Sequence, residues 1–481
     1  MVTVSKTLLC NRFSGIKRID SRFTGAVITA SDMQNVELFN TGIDSGVGIR
    51  TMKGNSLALA LPETEKIINI FESKQKNENY FFIHTENEVT GTLYLYNPLS
   101  NVLIPKVENL LLTGTSCGVD YAFGWSDLFL FSTGEEMLSI ELEAYNDDGE
   151  LNEVVKFSPK DVDGNDVKGK GFVIFDGRLW VFNNNVLWYS VKENCYDFSA
   201  EAPEINTSAG YIEFAKHITA IYPYLGTLAV FHSDSSSLVK INSDYSYSLT
   251  DESPGGCASE RALVFHGTEL YFYDDTKKGV FSFSQVVNGD KTLGRNIALD
   301  VQDELMSIDI THIDDIKTLS IVGSDKNEIW FLLPINDENY STILIYDYIH
   351  SCWVKRKSQK LTSLAIIDNV FYSAGKNKVF EEYTNDTFDG EFIEAFYCCS
   401  PFNLSADNTM KILYIPPRLT LDSEYVNDFM VRYVKNYDSL KNPKIKHIKT
   451  KNMKNLFYWD ISYWDSFVIF KPKEFKTTSI F

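Results

Sequence analysis

The sequence has no C-x-x-C pair, no long apolar run and no paired histidines, and each absence removes a class of function. Its seven cysteines (Cys10, Cys117, Cys195, Cys257, Cys352, Cys398 and Cys399) are scattered over 481 residues. A zinc ribbon or a thioredoxin-like site is therefore unsupported, and such thiols suggest a protein kept reduced in a cytoplasm. No run reaches the roughly 18 apolar residues needed to span a bilayer. Leu8-Leu9, just before Cys10, is too short for the apolar core of a signal. The reading is a soluble protein without membrane anchoring or an export signal of its own. His84, His217, His232, His266, His312, His350 and His447 stand alone, none paired at metal-ligand spacing. No G-x-S-x-G elbow nominates a nucleophile, although a triad built from distant segments leaves no spacing to read. The long apolar faces of an all-α protein are missing too.

What the chain does have is aromatic residues and acid. It carries 33 Phe and 26 Tyr, a load that suits pleated strands. Net charge is −20, and it is unevenly placed. Residues 391–481 hold 13 Lys and Arg against 10 Asp and Glu, so the body before them carries the whole excess of acid. Such a body repels phosphate backbones and anionic membranes. Tight nucleic-acid binding by it is not expected, loose passage of DNA along an acidic wall is compatible, and solubility alone is the plainer reading of the charge.

One pattern recurs along the chain: an apolar run, a polar turn, a second apolar run. Copies span 80–97, 126–142, 177–191, 226–241, 267–284, 327–346 and 369–383. The copies start roughly 40–60 residues apart, near the period of a four-stranded propeller blade. The longest gap contains Ile297, Val301, Leu305 and Ile308, spaced as a short inserted helix. Leu128–Phe131 and Ile329–Leu333 are apolar at every position, as strands are when both faces are covered. Short polar turns follow these strands, not the helices a parallel α/β sheet would need. Stacked antiparallel blades meet both conditions, and ring closure removes exposed sheet edges. The expected fold is an all-β propeller of six or seven blades over residues 51–390. An N-terminal arm or docking segment over 1–50 and an appended β-rich segment with a basic tail over 391–481 complete it. A string of β-sandwich domains is the structural alternative.

Candidate chemistry is thin. The loop Asp161-Val-Asp163-Gly-Asn165-Asp166 resembles a calcium loop, but position six is Asp166 and position twelve Phe172, where glycine and a carboxylate are required. It reads as an acidic connection between blades. Gly46-Val-Gly48 lacks the strand–turn–helix setting of a dinucleotide site. Ser324-Asp325 through Trp330 is a single, loose likeness to the repeated Asp-box of sialidase propellers, so a glycosidic carboxylate pair cannot be chosen. Lys441, Lys444, Lys446, Lys449, Lys451 and Lys454 form a basic strip that suits inter-subunit or DNA contact, with a solvated surface loop as the plainer reading. The aromatics Phe457, Tyr458, Trp459, Tyr463 and Trp464 read as core or subunit contacts. No catalytic residue, metal site or cofactor is expected.

Asn35-Val-Glu-Leu-Phe39 followed by Gly46-Val-Gly48-Ile-Arg50-Thr51-Met-Lys53-Gly54-Asn55 resembles the opening of propeller proteins in short-tailed bacteriophages. These are the tail nozzle, or tail tubular, proteins and the related packaged-DNA stabilisation proteins. Gly256–Ser259, Gly267–Phe272, Gly279–Ser284, Asn327–Phe331, Ile343–Asp347 and Cys352–Arg356 are similar to later blades of the same proteins. The likeness covers roughly residues 35–390. It implies a structural, non-enzymatic virion protein, a homo-hexameric ring below the portal and adaptor whose lumen continues the DNA channel. Other tail proteins and transiently passing double-stranded DNA would be its partners, the virion tail its location, and the bacterial host cytoplasm its place of assembly. The alternatives are a receptor- or glycan-binding propeller at the tail tip and a glycoside hydrolase.

Overall fold

The computed structural model describes residues 12–16, 27–40 and 47–399, with breaks at 124–125, 146–150, 200–207, 243–245, 251, 284–295, 324–325 and 336. Beyond them it describes four strands as backbone. The chain forms two compact units, Met1–Asn403 and Leu404–Phe481.

Each recurring hairpin is the second and third strands of one blade. Blades 1 to 7 cover 66–110, 117–157, 171–213, 220–254, 263–282, 317–359 and 363–382, the last completed by Asn55–Ala60. Six have four or more strands, and blade 5 has three among the described residues. The first strands of blades 1 to 4 lie side by side in turn, as do those of blades 5 to 7, and Ser363–Ile367 returns to Lys66–Gln75. The molecule is an all-β propeller.

The apolar strands are explained by stacking of blade on blade. In the second strand of blade 2, Phe129 and Phe131 pack with Phe71, Phe82 and Leu93 of blade 1. Their neighbours Leu128 and Leu130 pack with Leu179, Val181 and Trp188 of blade 3. Alternate side chains leave opposite faces of a strand, so a strand between two blades needs an apolar residue at every place. In blade 3, Trp180 and Phe182 then face Ile221, Leu228 and Val230 of blade 4.

The expected helix is present as Gln302–Met306, flanked by the 3-10 turns Leu299–Val301 and Ile310–Asp315. Val301, Leu305 and Ile308 are its buried side. Trp353 Nε1 donates to the Ile297 carbonyl at 2.6 Å, which pins the insertion against blade 6.

The ring is closed by a segment from near its start. Asn55–Ala60 lies antiparallel to Lys378–Glu382, with Asn55 opposite Glu382 and Ala60 opposite Lys378. A clasp sits at this seam. The Arg356 guanidinium pairs with the Glu382 carboxylate, and both side chains are almost wholly buried, 0% and 1% exposed. Asn55 Nδ2 donates to Glu382 Oε1 at 3.1 Å, and Arg356 donates to the Lys53 carbonyl at 3.0 Å. The guanidinium also lies over the rings of Phe388, Trp330 and Tyr383. Outer strand 352–359 of blade 6, the ring closure and blade 7 thus meet in one place.

The described strands of the 1–50 segment are docked: Arg12–Ile16 and Val27–Gln34 extend the sheet of blade 6 beyond Cys352–Gln359. Phe396–Cys399 adds a further strand to that edge. Lys355 bonds to Asp32 at 2.6 Å, and the Tyr397 hydroxyl donates to the Ser14 carbonyl at 2.7 Å. These added strands cover the backbone groups that an open edge would expose.

In the second unit, Arg418–Leu421 pairs antiparallel with Lys473–Lys476, and Asp428–Tyr433 with Lys444–Lys449.

Candidate functional site at the channel mouth

In a propeller the connections that lead into the first strands of the blades gather at one face of the ring. Five in succession, entering blades 2 to 6, enclose a cavity of about 220 Å3. Its charged lining is Lys170 ahead of blade 3, Glu260 and Arg261 ahead of blade 5, and Lys317 at the start of blade 6. His217 and Thr219 come from the connection into blade 4, and Ser259 from that into blade 5.

These groups reach across the ring. The Arg261 guanidinium lies 4.5 Å from the centre of the Phe71 ring of blade 1, a cation–π contact that strengthens out of water. Glu260 extends toward blade 3: a Cβ on Gly171 would come within 2.9 Å of its carboxyl carbon. Withdrawal from water pushes the Glu260 carboxyl up to about 7, against the opposing pull of Arg261, Lys317, the Phe172 amide and Lys170. Burial likewise pushes the Cys117 thiol up, so it is a neutral neighbour. Further along the ring, Glu72 and Asp120 stand on the first strands of blades 1 and 2. Enclosure raises both carboxyls, Glu72 to about 7 with the Asp120 charge adding to it.

The remaining sequence candidates are structural or lie elsewhere. Asp161 accepts from the amides of Asp163 and Asn165 at 3.0 and 2.8 Å, and from Trp188 Nε1 at 3.3 Å. Burial would raise its carboxyl, yet these bonds hold it below the ordinary range. It ties a loop between blades. Trp330 Nε1 donates to Glu328 at 2.9 Å inside the blade 6–7 seam, while Ser324 and Asp325 lie outside the described residues. Gly48 pairs with Phe39 in a hairpin, where a Cβ would come within 2.5 Å of the Phe39 ring. Among the described residues no group of His, Cys, Asp and Glu is placed to hold a metal ion, and no helix is long and apolar enough to cross a membrane.

Of the basic strip, Lys444, Lys446 and Lys449 lie on the strand opposite Tyr433, Val431 and Asp428 respectively. Lys441, Lys451 and Lys454, the aromatic stretch Phe457–Trp464 and Gly46 lie outside the described residues.

The sequence matches no protein-family profile and no curated protein. Solved structures similar to it include a streptogramin B lyase, 11% identical, covering 72% of this chain and 96% of the other with a TM-score of 0.41. Virginiamycin B lyase from Staphylococcus aureus is 9% identical over 67% of this chain and 97% of its own, TM-score 0.41. A chain of the mitotic checkpoint complex is 10% identical over 69% and 92%, TM-score 0.43.

Among the described histidines, His84 is the most informative. It is fully buried, with Nδ1 3.0 Å from the Ser116 hydroxyl between blades 1 and 2. Burial lowers it from 6.5 to about 4, with Glu86 opposing weakly. Above 6.5 the ring is neutral folded or unfolded. As pH falls from there toward 4, the unfolded chain takes up a proton that the fold refuses, so stability drops across that window by about 3 kcal/mol. His84→Gln is expected to lack this part of the slope when urea midpoints are compared between those pH values. Equal slopes in the two proteins would remove His84 as the cause.

Proposed function

We propose that this protein is a structural subunit of a bacteriophage tail, assembling into a ring below the portal and adaptor that continues the DNA channel and retains packaged DNA. The observation that supports this reading is where the residues of the phage-protein resemblance fall. Asn35 is buried at φ 53°, its amide donating to the Lys355 carbonyl at 2.8 Å and its side-chain oxygen accepting from the Lys357 amide at 2.8 Å. Arg50 pairs with Glu37 across the hairpin at 2.5 Å. Gly54 passes so close to the Thr387 carbonyl that a Cβ would stand 1.9 Å away, and Asn55 enters the clasp. The stretch that resembles the phage proteins thus leads directly into the strand that closes this ring, whose first residue is Asn55, a place where a shared architecture would constrain a sequence.

The acidic body, with the protein at −20 overall, suits a wall past which DNA moves without adhering. In this reading the basic strip from Lys441 to Lys454 serves contacts between copies. Purified protein, alone and co-expressed with a portal and adaptor pair, is expected to give rings with six-fold symmetry by negative-stain imaging. A protein that stays monomeric and joins neither component ends the proposal.

A further inference from the structure

The rim of the propeller is guarded at some blades and bare at one edge. The last strands of blades 1 to 3 carry residues that discourage pairing with another chain. These are Pro105, Lys106 and Glu108 on Val102–Leu110, Lys156 on Val154–Phe157, and Glu213 at the end of Gly210–Glu213. Phe396–Cys399, which ends the sheet extended from blade 6, is Phe-Tyr-Cys-Cys and has no such guard. Among the described residues, nothing pairs with its far side. Its near side is well anchored. Tyr397 packs edge-to-face on Phe13 with centroids 5.5 Å apart, and the Glu394 carbonyl accepts from Gln34 Nε2 at 3.3 Å and Asn35 Nδ2 at 2.9 Å. Phe392 and Phe396 stand open beside it, 89% and 39% exposed. A fixed, uncharged edge of this kind is a template for one more strand.

Charge sets what kind of strand it takes. From Val379 to Met410 the chain has seven acidic residues and no Lys, Arg or His. Arg356 takes up Glu382, and Lys378 takes up Asp389. Asp386, Glu391 and Glu394 are exposed and have no ion pair among the described residues. A strand that suits this edge is therefore basic, with apolar residues for the two phenylalanines. Lys444–Lys449 reads Lys-Ile-Lys-His-Ile-Lys. It pairs with Asp428–Tyr433 on one side and, among the described residues, with nothing on the other.

We infer that the Lys444–Lys449 strand of a second copy adds to the Phe396–Cys399 edge, joining copies through a shared sheet. The inference rests on the tail reading for its ring and names the contact that builds it. A ring needs two unlike surfaces on each copy, one offered and one received. An acidic rim with a bare edge and a basic strand with a free side are such a pair. Backbone hydrogen bonds supply the joint, and the opposed charges select the partner.

Charge reversal tests the contact in the full chain. Glu391→Lys with Glu394→Lys alters the edge, and Lys444→Glu, Lys446→Glu and Lys449→Glu together alter the strand. Each variant alone is expected to need about tenfold more protein than the wild type to reach half assembly by mass photometry. Mixed in equal amounts they should assemble as the wild type does, since each then meets the opposite charge at both of its surfaces. Cys398→Lys, at an exposed position, should weaken assembly without lowering the melting temperature. Amides of residues 396–399 should exchange hydrogen about tenfold more slowly in the assembled wild type than in the monomer. Variants that assemble as readily as the wild type, a mixture that stays apart, or unchanged exchange at 396–399 each overturn the inference, while wild-type rings would keep the tail reading. A wild type that stays monomeric even with portal and adaptor ends both.

Discussion

Glu382→Ala is expected to lower the stability of the propeller by about 3–5 kcal/mol, the usual consequence of removing one partner from a buried ion pair. The loss comes from what remains. Arg356, 0% exposed, would keep its charge with no carboxylate beside it, and Asn55 would lose its acceptor across the ring closure. Unfolding midpoints in urea read the effect directly. A double change, Arg356→Met with Glu382→Leu, removes both charges and is expected to recover most of the loss, because buried pairs contribute little net stability over apolar residues of similar size. If Glu382→Ala unfolds at the wild-type midpoint, the clasp does not hold the seam.

Phe129→Ala should be comparable, about 3–5 kcal/mol, for a different reason. Its ring stacks on Phe82 with centroids 4.1 Å apart and planes 2° from parallel, and it also meets Phe71 at 5.8 Å. Removing it opens a void between blades 1 and 2, where rigid neighbours cannot collapse inward. Leu99→Ala, at a side chain 84% exposed on a turn of blade 1, is the matched control and should leave the midpoint within about 0.5 kcal/mol. A small effect at Phe129 would mean that the two sheets do not depend on face-to-face packing.

The central hairpins are legible in the sequence because both of their faces are covered. Leu128–Phe131 and Ile329–Leu333 have no polar position to spare, and that density is visible without coordinates. The outer strands are harder to read. Val102–Leu110 exposes Val102 and Ile104 and carries Pro105, Lys106 and Glu108, so its composition is nearly that of a loop. The strands added to blade 6 are harder still. Val27–Gln34 pairs with Phe396–Cys399, and nothing local in either segment names a partner so distant in the chain.

The cavity is hidden for a related reason. Its residues come one to three at a time, mostly from connections between blades, and each connection alone reads as an ordinary polar linker. One sign is present in the sequence: Glu260-Arg261 stands directly before the apolar run Ala262–Phe265, an unusual place for a charged pair unless the strand begins beside a polar interior. The Asp161 loop shows the reverse error that motifs invite. Its acidic pattern looks like a ligand set, while its carboxylate is already committed to the loop's own amides and Trp188.

The closure strand also sets the order of events during synthesis. Asn55 leaves the ribosome 327 residues ahead of Glu382, its partner in the finished ring. At ordinary elongation rates that interval is roughly tens of seconds, and through it the first-made segment has nothing to pair with. Blades 1 to 6 can stack as they emerge, but the last blade must recruit its fourth strand from the beginning of the chain. Folding therefore ends with a long-range joining step, slow because it brings distant ends together. An unjoined intermediate would carry a bare edge at Lys378–Glu382, open to the Asn55–Ala60 strand of another nascent copy.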